Sequence, residues 1–279
     1  MRKISAKHLT EVIKREVIAA NLQLGDDMIE ALRRARNIEE SEVGKEILDK
    51  LLENAELASA NRIPICQDTG LVVIFAELGQ EVCIVDGDFT EAIEEGVRVG
   101  YQEGYLRKSV CHPFTRENTG DNTPVIIHLD MVPGDRLRLW VVPKGGGSEN
   151  MSALYMLPPS AGWNGVKEKV VETVVRAGPN PCPPTIVGVG IGGNFEKCAI
   201  LAKKALLRPV SEPNPVAELQ AMEVELLEEI NKSGVGPEGL GGRVTSLAVH
   251  INMMPCHIAS LPVAVNIQCH ANRHREVLL

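Results

Sequence analysis

The chain has little of what nucleic-acid-binding, membrane and secreted proteins carry. Aromatic residues make up 3% of its 279 residues, so base-stacking platforms for single strands are not expected. Positive charge is in deficit: 29 Lys and Arg stand against 37 Asp and Glu, a net charge of −8. That leaves no general basic footprint for nucleic acid. No uninterrupted apolar run approaches the roughly 18 residues needed to span a bilayer. The N-terminal stretch MRKISAKHLTEVIKREVIAA is charged and amphipathic. It has neither the apolar region nor the small-residue cleavage site of a signal peptide. These absences predict a soluble, cytoplasmic protein with no membrane or nucleic-acid partner.

The cysteines lack close pairing. The seven are Cys66, Cys83, Cys111, Cys182, Cys198, Cys256 and Cys269. An odd count in a chain of cytosolic type does not suggest a disulfide framework. No CxxC pair occurs, which argues against a zinc ribbon, a thioredoxin motif and a bacterial ferredoxin cluster. Any metal site must be assembled from cysteines distant in sequence.

What is present is a 44% hydrophobic composition, enough for a sizeable core in one large domain or two small ones. Residues 1–60 show apolar positions at helical spacing: Ile13, Val17 and Ala20, then Ile29, Leu32 and Ala35, then Ile47, Leu51 and Leu52. Gly25-Asp26-Asp27 and Ser41-Glu42-Val43-Gly44 punctuate them, with Ser41 a candidate N-cap. From Ile63 onward short apolar runs alternate with Gly and Asp turns, as in LVVIFAEL and EVCIVDGD, which read as strands. Residues 89–102 read as a helix opening at Asp88 or Thr90. Residues 124–130 and 136–142 resemble a hairpin around Pro133-Gly134-Asp135. Helices are expected over 165–177, 194–206 and 215–232, and strands over 185–190, 244–251 and 261–267. The predicted fold is mixed α/β: a helical N-terminal region, about 1–60, then an α+β part with mixed sheets, about 61–279, in one domain over 1–279.

Three segments share a form: Ile65-Cys66-Gln67-Asp68-Thr69-Gly70, Asn180-Pro181-Cys182-Pro183-Pro184 and Ile267-Gln268-Cys269-His270-Ala271-Asn272-Arg273. Each puts a cysteine in a turn-forming context beside a predicted strand. A stiff backbone is what a preorganised metal ligand needs. Three thiolates could hold three corners of a cubane, leaving one iron open as a Lewis acid. Buried free cysteine is common, so spacing alone does not establish this.

Taken together, the segments resemble the class I, iron–sulfur fumarate hydratase and L(+)-tartrate dehydratase family, α subunit, from about Ile63 to the end. The resemblance implies that Cys66, Cys182 and Cys269 ligate a [4Fe–4S] cluster with one iron not held by protein cysteine. It implies that Gln67 and Asp68 face a dicarboxylate substrate. It matches Arg107 to a carboxylate-binding arginine, whose planar fork suits that task, with Arg116 as the competing candidate. It puts Gly147, in Lys144-Gly145-Gly146-Gly147-Ser148, against a substrate carboxylate, and matches His257 to a substrate-contacting histidine. Asp68, Gln67 and His257 are thus the candidate catalytic groups. The bland readings are an Asx-turn for Asp68, a turn after the hairpin for the glycines and a satisfied core position for His257. Cys83, Cys111, Cys198 and Cys256 fall outside the motifs and read as packing residues. His250, His270 and His274 stay unassigned.

The implied reaction is a reversible hydration, fumarate to (S)-malate first and L(+)-tartrate dehydration as the alternative, with mesaconate a further option. The resemblance also implies a separate β subunit completing the site in an α2β2 assembly. From other classes, a redox or electron-transfer iron–sulfur protein and a pure interaction module remain open. Gly188-Val189-Gly190-Ile191-Gly192-Gly193 literally satisfies GxGxxG, with Glu212 where a ribose-binding acid would sit, which opens a dinucleotide reading.

Overall fold

The computed structural model describes residues 1–279. In chain order the elements are β1 (Arg2–Ser5), α1 (Ala6–Leu22), α2 (Asp26–Ile38), α3 (Glu42–Asn61), β2 (Leu71–Gly79), β3 (Val82–Val85), α4 (Phe89–Glu103), β4 (Ile126–Val132) and β5 (Leu137–Lys144). They continue with α5 (Gly146–Glu149), β6 (Ala153–Leu157), α6 (Gly162–Ala177), β7 (Thr185–Gly193), α7 (Phe195–Ala205), α8 (Ala217–Asn231), β8 (Ser246–Cys256), β9 (Leu261–Gln268) and β10 (Arg275–Leu278). This is the expected mixture of helices and mixed sheets. Ser41 caps α3 through Gly44 N–H, 3.2 Å from its Oγ, and Asp88 caps α4, accepting from Thr90 and Glu91 N–H at 2.7 and 3.0 Å. No helix is long and apolar enough to cross a membrane.

The chain forms two compact units, one comprising residues 1–24, 56–146 and 273–279, the other residues 25–55 and 147–272. The helical front is thus shared between them.

The first unit is built on a four-stranded sheet in the order β10-β5-β2-β4. β2 is parallel to β4 and antiparallel to β5. Helices α1 and α4 supply Leu9, Ile13, Val17, Ile93, Val97 and Tyr101 to a core with Val72, Ile74, Leu139 and Val141. β4 and β5 therefore do not form the hairpin expected from the sequence. β2 lies between them, and its end is locked there by Gly79 N–H to Arg136 O at 2.8 Å and Gln80 N–H to Val132 O at 2.9 Å. The reason is burial. Val72 to Ala76 are fully enclosed, whereas Ile126, Leu129 and Met131 of β4 remain exposed, so the strand with the most apolar surface takes the centre.

The second unit has a four-stranded sheet in the order β6-β9-β7-β8. β7 runs parallel to β8 and antiparallel to β9. Its alternation of branched residue and glycine sorts its two faces. Val187, Val189 and Ile191 pack with Val170 and Val174 of α6 and Leu226 and Ile230 of α8. Gly188 and Gly190 face α7: a Cβ on Gly188 would stand 2.1 Å from Ala202 O, and one on Gly190 2.0 Å from Cys198 O. The GxGxxG string is therefore strand interior that lets a helix lie close. Glu212 sits in irregular chain between α7 and α8 and ends no strand. The dinucleotide reading is withdrawn on both counts.

Candidate active site

In the first unit the Cys66 loop is fixed by hydrogen bonds at almost every residue. Ile65 N–H donates to Asn21 O at 2.9 Å. Asp68 accepts from Gly70 N–H at 3.0 Å through Oδ1 and from Gly146 N–H at 2.7 Å through Oδ2. The Asx-turn is thus real, and the second oxygen binds the glycine segment as well. Gly70 has φ +74°, and a Cβ there would meet Lys144 O at 2.5 Å, so only glycine fits. The buried Tyr101 hydroxyl donates toward Thr69 O at 2.6 Å and Gly70 O at 3.0 Å. Burial pushes its pKa well above the ordinary tyrosine value, which keeps it a neutral donor.

The same network positions Arg107. Thr69 Oγ1 donates to Arg107 O at 2.6 Å. The buried Asn122 accepts from Ser109 N–H at 2.6 Å and donates to Gly70 O at 3.2 Å. Arg107 is exposed, so its main chain is anchored while its guanidinium is free to meet an anion. The competitor Arg116 is also exposed, and its Nη1 donates to Pro113 O at 3.4 Å within its own turn. The fold ties only Arg107 to the Cys66 loop. Gln67 is exposed, with its Oε1 3.4 Å from Cys66 Sγ.

In the second unit β7 and β9 run antiparallel with Ile186 opposite Gln268. The start of one strand and the end of the other therefore share one end of the sheet. Cys182, just before β7, and Cys269, just after β9, meet there: Cys182 O accepts from His270 N–H at 3.4 Å and lies 3.0 Å from His270 Nδ1. Cys182 is exposed with φ +54°, a left-handed conformation that costs energy for a residue with a Cβ and marks functional turns. Gly147 reaches the same end, where a Cβ would stand 3.2 Å from Asn180 O, and Ser148 Oγ lies 3.4 Å from Gln268 Oε1. The chain passes from one unit to the other at Gly146–Gly147, and the four-residue helix α5 opens there.

His257 is elsewhere. It lies in the turn between β8 and β9, at the opposite end of the second sheet, where Gly193 pairs with Cys256. The turn is exposed, so His257 is not a satisfied core histidine. His250, by contrast, is buried against Ala205 O at 3.2 Å.

Of the remaining cysteines only Cys198 is fully buried; Cys83 and Cys111 are half-buried, and Cys256 is exposed. The packing assignment thus fails for Cys256, which sits on that same turn, its Sγ 3.2 Å from Ser260 O.

An iron–sulfur cluster needs free thiolates on a fixed backbone. All seven cysteines are free thiols, and the three motif cysteines sit in fixed turns. No group of three His, Cys, Asp or Glu side chains is drawn round a single ion. A cubane does not ask for one, because its thiolates meet separate irons. Arg273 adds a second sign. It is 4% exposed, its Nη2 donates to Asp68 O, and its Nε and Nη1 have no hydrogen-bond partner. A buried cation with spare donors, bonded to the main chain two residues after Cys66, suits an anionic group. Within each unit the motif thiols are free, which suits them to act as thiolate ligands. Arg273, Tyr101, Thr69 and Asn122 were not found from sequence. The only local signal was that Arg273 closes the Cys269 motif.

Comparison with known proteins agrees with these motifs. The family model "Fumarate hydratase (Fumerase)" matches residues 10–278. A protein of Methanocaldococcus jannaschii, provisionally named L(+)-tartrate dehydratase subunit alpha, is 43% identical over 95% of this chain and 95% of its own length. The L(+)-tartrate dehydratase subunit alpha of Escherichia coli O157:H7 is 32% identical over 97% of this chain and 90% of its own length, and that of strain K12 is 31% identical over the same shares. The chain belongs to the iron–sulfur fumarate hydratase and L(+)-tartrate dehydratase family, on the α-subunit side.

Proposed function

We propose that this chain is the α subunit of a cytoplasmic two-subunit [4Fe–4S] hydro-lyase that dehydrates L(+)-tartrate. The observation that carries the substrate is the naming of the relatives aligned along almost its whole length. It displaces fumarate hydration as the leading reading; the family description keeps that reaction as the second one. The relatives are named as subunits alpha, which supports a β subunit completing the site in an α2β2 enzyme.

Cys66, Cys182 and Cys269 would hold the cluster. When bound, it would supply a Lewis acid at the substrate hydroxyl. The chain's own residues do the rest. The Arg107 guanidinium grips one carboxylate through two parallel hydrogen bonds. The Gly147 N–H and the Gln67 amide fix a carboxylate and a hydroxyl of the bound dicarboxylate. Arg273, buried beside Asp68, adds fixed positive charge where negative charge builds as the carbon next to a carboxylate loses its proton. Asp68 holds the loop through both its oxygens, and its remaining lone pairs leave it able to assist proton movement. The proton and the hydroxyl leave as water. Family resemblance reads His257 as a substrate contact, and its turn lies at the end of the second sheet away from Cys182 and Cys269.

The test is anaerobic purification with the β chain, then assay on L(+)-tartrate and fumarate with one sample. A brown protein faster on tartrate supports the proposal. A brown protein faster on fumarate reverses the substrate order and leaves the site intact. A colourless protein, inert after anoxic reconstitution with iron and sulfide, overturns the cluster and with it the proposal.

A further inference from the structure

Strand β4 gives the first sheet an open edge. It is the last strand in the order β10-β5-β2-β4, and its ladder is with β2 alone. All 7 of its residues pair with residues 73–79 in one unbroken register. An edge strand normally carries a device that keeps other strands away, such as a lysine, a proline or a bulge. The segment Ile126–Val132 contains no Lys, Arg, Pro or Gly. Its Ile126, Leu129 and Met131 are 45%, 48% and 58% exposed. The outward main chain of such a strand, beside exposed apolar side chains, is a template for one more strand.

The order of side chains along β4 says which strand fits. Successive residues alternate between the two faces of the sheet. Ile127 packs against the core that α1 and α4 share, and Leu129 and Met131 lie on its face. His128 stacks on Phe75, ring centres 4.8 Å apart, and Asp130 lies on that second face. The imidazole and the carboxylate thus share a face, one on each side of Leu129 in sequence. That order complements itself. In an antiparallel copy with Leu129 opposite Leu129, each His128 stands opposite the other copy's Asp130. On the other face Met131 then stands opposite Ile127. Both kinds of pair stabilise a ladder. Centring the copies on His128 would oppose two imidazoles, and centring them on Asp130 would oppose two carboxylates, which like charge disfavours.

We infer that β4 pairs with the β4 of a second copy of this chain, antiparallel and centred on Leu129. The two four-stranded sheets become one continuous sheet, and neither copy keeps an open β4 edge. The contact is isologous, with the same patch used on both sides of a two-fold axis. The charge order selects a second copy over a different chain, because the strand already carries both halves of each pair. None of these residues belongs to the candidate active site, so the pairing stands apart from the hydro-lyase reading.

The test uses the one residue that meets itself. Leu129 is half-exposed, so a charge placed there is solvated in the single chain and the fold is kept. Leu129→Lys brings two ammonium groups together at the two-fold axis, and Leu129→Glu brings two carboxylates together. The full chain is studied with and without the β chain, by analytical ultracentrifugation. Each variant alone is expected to show half the wild-type number of copies of this chain per particle. The two variants, carrying different affinity tags and mixed, are expected to restore that number with one of each in the pair, because Lys then faces Glu. A halved number that mixing does not restore overturns the inference. So does an unchanged number in either variant, or a wild type with one copy per particle. Loss of the β chain with the copy number intact gives the edge to the β chain and overturns it too. No turnover is read, so failure of the hydro-lyase reading leaves each outcome as decisive as before.

Discussion

At the scale of single residues, Glu39 shows how a buried charge can be structural. It is 3% exposed and accepts backbone N–H groups from Glu40, Ser41, Arg243 and Val244 at 2.8–3.0 Å. Burial pushes its pKa up, and the four N–H donors more than offset this, so it is held below the usual glutamate value. A lowered folded-state pKa means stability present above the unfolded value, about 4.3, and lost as pH falls through the folded one. Glu39→Gln leaves one acceptor where two served and turns an amide N–H₂ toward donors, a cost of about 2–3 kcal/mol. Chemical denaturation from pH 7 to 3 should show the wild type approaching the variant on acidification; a constant gap would refute the role. The cysteines make a second prediction. Cys66→Ala, Cys182→Ala and Cys269→Ala should each lose iron and at least about 100-fold in activity, the upper end of what an outer-shell partner is worth. Cys83→Ala should retain the iron, measured by colour and metal analysis. The three cysteine motifs could be singled out in the sequence because each is short and rich in turn-forming residues. Arg273 and Tyr101 were not, because their meaning lies in bonds to the Cys66 loop from remote positions.

At the scale of elements, most helices and strands followed from periodicity and caps. The failure was a pairing. Residues 124–142 look like a hairpin locally, yet β2, some fifty residues upstream, takes the centre between the two strands. Turn chemistry reports which way the chain reverses, whereas strand order follows from how much apolar surface each strand must bury, a quantity set by the whole sheet. The glycines of β7 were misleading in the opposite direction, as a motif with a known use elsewhere. Here they admit α7 to close contact, and that gives a prediction. Gly190→Ala puts a methyl 2.0 Å from Cys198 O, where only movement of the helix backbone relieves the clash, at about 3 kcal/mol or more. Thermal denaturation should show a large fall in Tm. An unchanged Tm would mean that α7 and β7 are not packed as described. The position of His257 in the sheet was not legible. Sequence order placed it twelve residues before Cys269, while the antiparallel path through β9 carries the two to opposite ends of the sheet.

At the scale of the whole molecule, the chain presents groups that bind more clearly than groups that do chemistry. Arg107, Gly147, Gln67 and Arg273 are donors and cations, suited to holding a dicarboxylate. Asp68 spends both carboxylate oxygens on backbone N–H groups, and the fold offers no free acid–base pair beside it. A hydro-lyase still needs a group to take the carbon-bound proton and further donors to steady the charge that appears. We propose that those groups lie on the β subunit that the relatives' names imply. The α chain alone, loaded with iron and sulfide under anoxia, should therefore bind the dicarboxylate and barely turn it over. Loss of even one preorganised donor costs on the order of 100-fold in other enzymes, and here several would be missing at once. Titrating β chain into loaded α chain, with turnover read at each step, should raise the rate and saturate at one β per α. Binding without turnover before β is added would place the catalytic groups on the partner. Full turnover by the α chain alone would place them on this chain, and Asp68 would then be the first residue to substitute.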